Sequence, residues 1–205
     1  MTGRCRPALF LVLPVLAACG GPQLTPVSEP ARRIELRGVS VLPPKGENWF
    51  LAPKAAGNVP GIPGGVILAA FGKKPPDGQQ RFGYAMVSVV DLGASVSESA
   101  GAYVRYVREE MKQATARQRV LDFEVSAASS PARDCARYRR TQEMDGNSIH
   151  LSAGIMCRHP HWSRYSVNIS YGQRHLKGLQ PLALEAEVEP FLSGVVFTPE
   201  RPMVE

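Results

Sequence analysis

Two cysteines in the second half of the chain have the spacing of a cross-strand pair. Cys135 and Cys157 each lie eleven residues from Gly146, which is the centre of an Asp-Gly-Asn hairpin signal between strand-like segments 133–144 and 148–158. A hairpin that turns at Gly146 places the two cysteines directly opposite each other, and in an oxidising compartment such a pair forms a disulfide. The bridge would close a loop of about 22 residues and add about 3 kcal/mol of stability.

The residues that alternate with these cysteines differ between the two strands. Cys157 shares its predicted face with the apolar Ile155, whereas Cys135 shares its face with Arg137 and Arg139. Two arrangements explain this difference: either one side of the hairpin contains a bulge, or the arginines lie over a rim of the sheet.

A metal site is the alternative use of these side chains. The run from Cys157 through His159 to His161, with Cys135 and His150 as further candidates, contains thiol and imidazole ligands. However, no spacing matches an established zinc motif, and a disulfide would consume both thiols. We therefore predict no metal ion.

Catalytic motifs are missing from the sequence. It contains no G-x-S-x-G elbow, H-E-x-x-H helix, phosphate-binding loop or glycine-rich dinucleotide turn. Glu185, Glu187 and Glu189 are close in sequence and are interpreted as one solvated helix face. We predict no catalytic residue and no cofactor.

Basic residues are concentrated in the same part of the chain. Residues 117–177 contain ten lysines and arginines against five acidic residues. Because the guanidinium fork suits phosphate and carboxylate groups, we predict an anion-binding patch next to Tyr138. Its members are Arg137, Arg139, Arg140 and Arg158. The alternative is a soluble sheet face with ordinary arginine usage.

The N-terminus carries an export signal. Arg4 and Arg6 precede an apolar segment, 8–15, that is too short to span a bilayer, and Leu16-Ala17-Ala18-Cys19 follows. These features resemble the signal and lipobox of bacterial lipoproteins. The alternatives are an ordinary secretory signal with an incidental cysteine, or a short anchor.

The lipoprotein resemblance implies cleavage before Cys19 and acylation of its thiol, so the protein would be held on a membrane. Gly20 follows, where lipoproteins retained at the inner membrane often have Asp, which favours the periplasmic face of the outer membrane in a diderm host. Loss of Arg4 and Arg6 leaves 22 basic and 18 acidic residues, a mature charge of +4 against +6 for the whole chain. Export excludes nucleic acid as the partner and makes envelope proteins or anionic envelope polymers the candidates.

The periodicity of the mature chain predicts an α+β fold with an antiparallel-rich sheet. A long amphipathic helix is expected over residues 95–118, and a second helix from Pro181 to Leu192, which Pro190 should end or kink. Alternating or apolar runs predict strands that include a late four-strand meander. Their ranges are 39–42, 49–52, 66–71, 80–92, 121–126, 133–144, 148–158 and 165–171.

The composition predicts one folded domain on a tether. Residues 20–33 contain three prolines and two glycines and few large apolar side chains, which is typical of a flexible segment. The predicted organisation is a signal peptide at 1–18, a lipidated cysteine and tether at 19–34, a domain at 35–199 and a tail at 200–205.

The opening GVSVLPPKGENW, the mid-chain helix, the late meander and the closing segment FLSGVVF, expected to be helical, are similar to the PsbP-like and DcrB-like α/β/α sandwiches. That resemblance implies an accessory protein of the envelope. We therefore predict a lipid-anchored, non-catalytic binding or assembly module. A hydrolase with an unrecognised site and a carrier of a small lipidic ligand are the alternatives.

Overall fold

The computed structural model describes residues 24–28, 31–52, 65–74, 81–93, 101–115, 119–129, 131–132, 134–144 and 146–202. These residues form eleven strands and two helices. In chain order they are β1 Thr25–Pro26, β2 Ile34–Leu36, β3 Val39–Val41, β4 Trp49–Leu51, β5 Gly65–Lys73, β6 Arg81–Asp91, α1 Ala102–Thr115, β7 Arg119–Ala128, β8 Cys135–Met144, β9 Ser148–Arg158, β10 Tyr165–Leu176, α2 Glu185–Ser193 and β11 Val196–Phe197.

Eight strands form one antiparallel sheet in the order β1-β4-β5-β6-β10-β9-β8-β7. The last four are consecutive in the chain, so the predicted meander and the antiparallel-rich α+β class are confirmed. The apolar β6 lies in the interior of the sheet between β5 and β10, as its sequence predicted. A second, three-stranded sheet has the order β11-β3-β2.

One face of the large sheet carries the main core. Alternate residues of β6 and β10, such as Val87 and Ile169, pack against α2 and the small sheet. Helix α2 contributes Val188 and Phe191, which are almost fully buried. The ring of Phe191 meets Phe71 edge to face at 5.7 Å between centroids. This face thereby positions α2 above β10.

The opposite face packs against α1. Tyr103 and Val107 of the helix are buried against Ala136 and Tyr138 of β8 and Met156 of β9. The two layers of the core therefore lie on opposite sides of the sheet, and alternate residues within each strand of the meander belong to different sides.

The mid-chain helix is shorter than the sequence predicted. Gly101 has φ +73°, a left-handed conformation that an α-helix cannot pass through, and α1 begins one residue later at Ala102. It ends at Thr115, whereas the prediction extended to 118. Segments 94–100 and 116–118 lie outside the described residues.

Helix α2 also differs from its prediction. It begins at Glu185 because the side chain of Gln173 holds both backbone groups of Leu182, accepting from its N–H and donating to its carbonyl oxygen at 2.9 Å. The helix continues past Pro190 to Ser193, so Pro190 does not end it. Part of the closing FLSGVVF segment is strand β11, not helix.

The predicted tether includes chain that joins the sheet. Thr25 and Pro26 pair with Leu51 and Phe50, and the N–H of Val27 donates to the Trp49 carbonyl at 2.9 Å. Folded chain therefore begins well before residue 35. The predicted signal peptide, Cys19, residues 53–64 and 75–80, and residues 203–205 of the predicted tail lie outside the described residues.

Candidate functional site

A groove of about 230 Å³ runs beside α2, over the meander. Its floor is formed by β9 and β10, and α2 forms one wall. Arg137 and Arg139, both exposed, stand on the other side, where they project from β8. The groove thus contains two of the four arginines that the sequence predicted to bind an anion.

The register of the hairpin explains why these arginines lie there. Strands β8 and β9 pair without a bulge, with Cys135 opposite Cys157, and the predicted disulfide between them is present. Of the two arrangements left open by the sequence, the bulge is therefore excluded; the arginines are exposed on β8, one strand in from the edge strand β7. The disulfide fixes the register and places Arg137 opposite the buried Ile155.

Carboxylates lie on both sides of the groove. Glu185 and Glu189 are one helical turn apart on the α2 wall, and Glu124 of β7 lies on the arginine side as the cross-strand neighbour of Arg139. All three are exposed. These residues and the two arginines are all described, yet they form no ion pair or hydrogen bond through their charged groups. Charges of opposite sign therefore face the same groove unpaired.

Tyr171 of β10 lies at the floor, close to both walls. Burial is the main cause that raises the pKa of its hydroxyl, and the carboxylates of Glu185 and Glu189 raise that pKa further. The guanidinium groups of Arg139 and Arg137 act in the opposite direction. Tyr171 therefore stays a neutral hydrogen-bond donor or acceptor that interacts electrostatically with the two carboxylates and the two guanidinium groups.

The remaining two predicted arginines lie elsewhere, so the four do not form one patch. Arg158 is buried on the α1 face, where its guanidinium carbon lies 5.4 Å from the centroid of the Tyr103 ring and its Nε lies 3.6 Å from a carboxylate oxygen of Asp134. Arg140 belongs to the same face, where its charge acts on Tyr84. Strand alternation separates both from the groove.

The histidines occupy structural positions. His159 is buried, with its Nε2 2.8 Å from the Gly38 carbonyl oxygen and its Nδ1 accepting from the backbone N–H of His161 at 3.2 Å. His150 lies 3.0 Å from the Tyr84 hydroxyl, and burial together with two arginine charges lowers its pKa to about 4. Within the described ranges no three His, Cys, Asp or Glu side chains form a potential metal site.

Neither a protein-family model nor a curated protein matches this chain. In the part of the chain that the structure describes, no helix has the length and apolar character needed to cross a membrane.

A second cleft of about 540 Å³ lies near the disulfide, at the end of β9. Asp134, Arg158 and His159 line it together with Phe197, but Arg158 pairs with Asp134 and both ring nitrogens of His159 contact backbone groups. The polar groups of Asp134, Arg158 and His159 are thus already engaged by the protein. The groove beside α2 differs because its charges face solvent unpaired.

Sequence reasoning missed the role of the α2 glutamates. They do not form one solvated face: Glu185 and Glu189 line the groove, whereas Glu187 is turned to the sheet and pairs with Lys73. The indole N–H of Trp49 also donates to Glu187, at 2.6 Å. The signal was present in the spacing, because residues i and i+4 share a helix face and residue i+2 does not.

Proposed function

We propose that this protein is a lipid-anchored, non-catalytic binding module of the bacterial envelope. In this proposal Arg137 and Arg139 hold an anionic group of an envelope protein or polymer in the groove beside α2. The observation that carries the proposal is the pair of exposed guanidinium groups, unpaired and directed to one groove of about 230 Å³.

The lipobox sequence and the cysteine usage support the location. Leu16-Ala17-Ala18-Cys19 would supply the membrane anchor, and acyl chains contribute about 0.8 kcal/mol per buried methylene. The disulfide between Cys135 and Cys157 suits an oxidising compartment outside the cytoplasm. The outer membrane, facing the periplasm, is our proposed site in a diderm host, and nucleic acid is not the proposed partner.

The arrangement of the histidines favours binding over acid–base catalysis. The charged neighbours that shift the pKa of His150 are arginines, and the neighbour of His175 is Arg81. A general base of the usual kind is oriented by a carboxylate. We further propose that the helices and sheet form a PsbP-like sandwich, in line with the sequence resemblance.

The anchor is tested by labelling with radioactive palmitate. We expect the full chain to incorporate the label and to fractionate with membranes, and the Cys19→Ser variant to lose both properties. Cys5→Ser is the matched control, because Cys5 precedes the proposed cleavage site. Equal labelling of wild type and Cys19→Ser would contradict the lipoprotein assignment.

The groove is tested with acetyl-glycyl-leucine, which has a carboxylate and no ammonium group, and with its C-terminal amide. Calorimetric titration of the full chain in neutral detergent should show binding of the acid about tenfold stronger than that of the amide, since a charge-assisted hydrogen bond contributes about 1.5–3 kcal/mol. Inorganic phosphate as a competitor tells whether phosphate is held as well as carboxylate.

Variants assign this binding to the groove. Arg137→Gln/Arg139→Gln should abolish the preference for the acid over the amide. The matched control, Arg37→Gln/Arg105→Gln, removes the same charge from exposed arginines outside the groove and should keep the preference. Equal binding of acid and amide by the wild type would refute the proposed function.

A further inference from the structure

The groove beside α2 presents opposite charges on its two walls. Arg137 and Arg139 stand over β8, and Glu185 and Glu189 stand on α2. Strand β9 separates β8 from β10. The arginines on β8 are therefore offset by about 10 Å, in the plane of the sheet, from α2, which lies above β10. A ligand of several heavy atoms that carries a charge at each end spans this offset.

We propose that the groove binds a small zwitterion of the amino-acid or short-peptide type. Its carboxylate would lie on Arg137 and Arg139, and its ammonium group on Glu185 and Glu189. This inference rests on the proposed function for the role of the arginines, and goes beyond it by naming a small ligand where the proposed function names an envelope protein or polymer.

The charge balance of the groove favours a zwitterion over a simple anion. The groove contains two guanidinium groups and three carboxylates, since Glu124 lies next to Arg139 and Glu185 and Glu189 stand on α2. An anion held by the arginines alone would be repelled by the carboxylates of Glu185 and Glu189 across about 10 Å, and this repulsion is stronger in a partly dry site than in water. An ammonium group on the same ligand converts that repulsion into attraction.

The absence of internal pairing also points to a ligand. Exposed arginines and glutamates this close commonly form surface ion pairs, yet Arg139 does not pair with Glu124 although the two are cross-strand neighbours. Among the described residues these guanidinium and carboxylate groups make no ion pair, so a ligand can bind them without first breaking one. Preformed, unpaired groups lower the cost of binding.

The size and floor of the groove match a small side chain. A volume of about 230 Å³ lies below the range of roughly 300–1,000 Å³ that drug-sized ligands occupy, so the groove suits a molecule of amino-acid or dipeptide size. Ile155 provides an apolar floor, Leu192 adds apolar surface from the α2 wall, and Tyr171 adds one hydroxyl that can donate or accept. The apolar floor favours an aliphatic side chain on the ligand.

Three probes separate the two ends of the ligand: glycyl-leucine, acetyl-glycyl-leucine and glycyl-leucine amide. They share one apolar side chain and differ in the ammonium or the carboxylate group. Titrated into the full chain in neutral detergent, glycyl-leucine should bind about tenfold more tightly than either of the other two.

Paired variants locate each end. The Glu185→Gln/Glu189→Gln variant should bind glycyl-leucine and acetyl-glycyl-leucine equally. It should still bind glycyl-leucine more tightly than glycyl-leucine amide. The matched control Glu109→Gln/Glu110→Gln removes two exposed charges from α1, on the other side of the sheet, and should leave all three affinities unchanged. Thermal unfolding of each variant verifies that it is folded.

The outcomes distinguish the two proposals. If acetyl-glycyl-leucine binds the wild type as tightly as glycyl-leucine, the zwitterion inference is wrong and the anion-binding proposal survives. If glycyl-leucine amide binds as tightly as glycyl-leucine, the arginines do not hold a carboxylate and the proposed function itself is wrong. Failure of all three probes to bind overturns both.

Discussion

The ion pair between Lys73 and Glu187 joins α2 to the end of strand β5, and its removal gives the sharpest test of the fold. Glu187 accepts from the ammonium of Lys73 and from the indole of Trp49. Among the described groups, the Lys73 ammonium also donates to the carbonyl oxygen of Glu47 at 3.0 Å and lies 5.5 Å from the centroid of the Trp49 ring. The perturbation is Glu187→Gln, which removes the carboxylate charge and keeps an oxygen that can accept from Trp49.

The expected loss follows from the burial of the lysine. The Lys73 side chain is 10% exposed and that of Glu187 is 29% exposed, so the variant leaves an ammonium group in the interior without a counter-ion. Breaking a fully buried pair from one side costs about 3–5 kcal/mol. Because Glu187 retains contact with water, we expect about 2–3 kcal/mol. For a domain of this size that corresponds to a fall in Tm of roughly 5–10 °C.

Thermal unfolding of the full chain, followed by circular dichroism, measures this loss. Glu185→Gln on the same helix is the control, since an exposed, unpaired glutamate should change stability by less than about 0.5 kcal/mol. The double variant Lys73→Met/Glu187→Gln removes both charges and should be more stable than Glu187→Gln alone. The reasoning is refuted if Glu187→Gln shifts Tm no more than Glu185→Gln does, or if adding Lys73→Met lowers Tm further.

Three other predictions concern the sheet. Cys135→Ala/Cys157→Ala opens a loop between residues 22 apart and should lower the unfolding free energy by about 3 kcal/mol in denaturant titrations; labelling of both thiols in unreduced wild type would contradict this. The pKa of His150 is about 4 in the folded protein and about 6.5 when unfolded. The stability that neutral His150 contributes is therefore fully present above pH 6.5 and is lost as the pH falls through 4. His150→Gln should therefore make the fall in Tm over that range shallower, by the equivalent of about 1–2 kcal/mol, and an unchanged slope would exclude this origin. Gly154→Ala would place a Cβ 2.4 Å from a carbonyl oxygen of β10 and should cost about 1–3 kcal/mol, whereas Gly72→Ala, whose nearest contact is 3.7 Å, should cost far less; equal Tm shifts would disprove the steric argument.

The sequence predicted the meander and its central turn because both depend on local patterns. Alternation with a period of two assigns each residue of a strand to one face, and Gly146 provides the positive φ of +67° that the turn requires. The opposition of Cys135 and Cys157 followed from the spacing of these residues about the turn.

The same alternation contained information that the anion-site prediction did not use. Arg137 and Arg139 differ by two positions and share a face, whereas Arg140 must point to the other side of the sheet. Arg158 follows Cys157 directly and is likewise on the opposite side from the disulfide. A patch of four arginines on one face was therefore already inconsistent with strand alternation.

Long-range contacts decided the rest of the site. Glu185 and Glu189 lie more than 45 residues beyond Arg139 in the chain, and nothing local indicates that they face the same groove. The start of α2, which aims these glutamates, depends on the side chain of Gln173 holding Leu182. No periodic pattern in the sequence indicates that the glutamates face Arg139 or that Gln173 contacts Leu182.

The sequence by itself determined the strand pattern, the hairpin register and the disulfide, because these follow from alternation and from one turn. The tertiary structure decided which charges meet, because that depends on how α2 packs on β10 and on the side to which each strand residue points. It also set the start of α1 at Ala102, directly after Gly101, whose left-handed backbone an α-helix cannot include. The groove of opposite charges exists only where these separate segments come together.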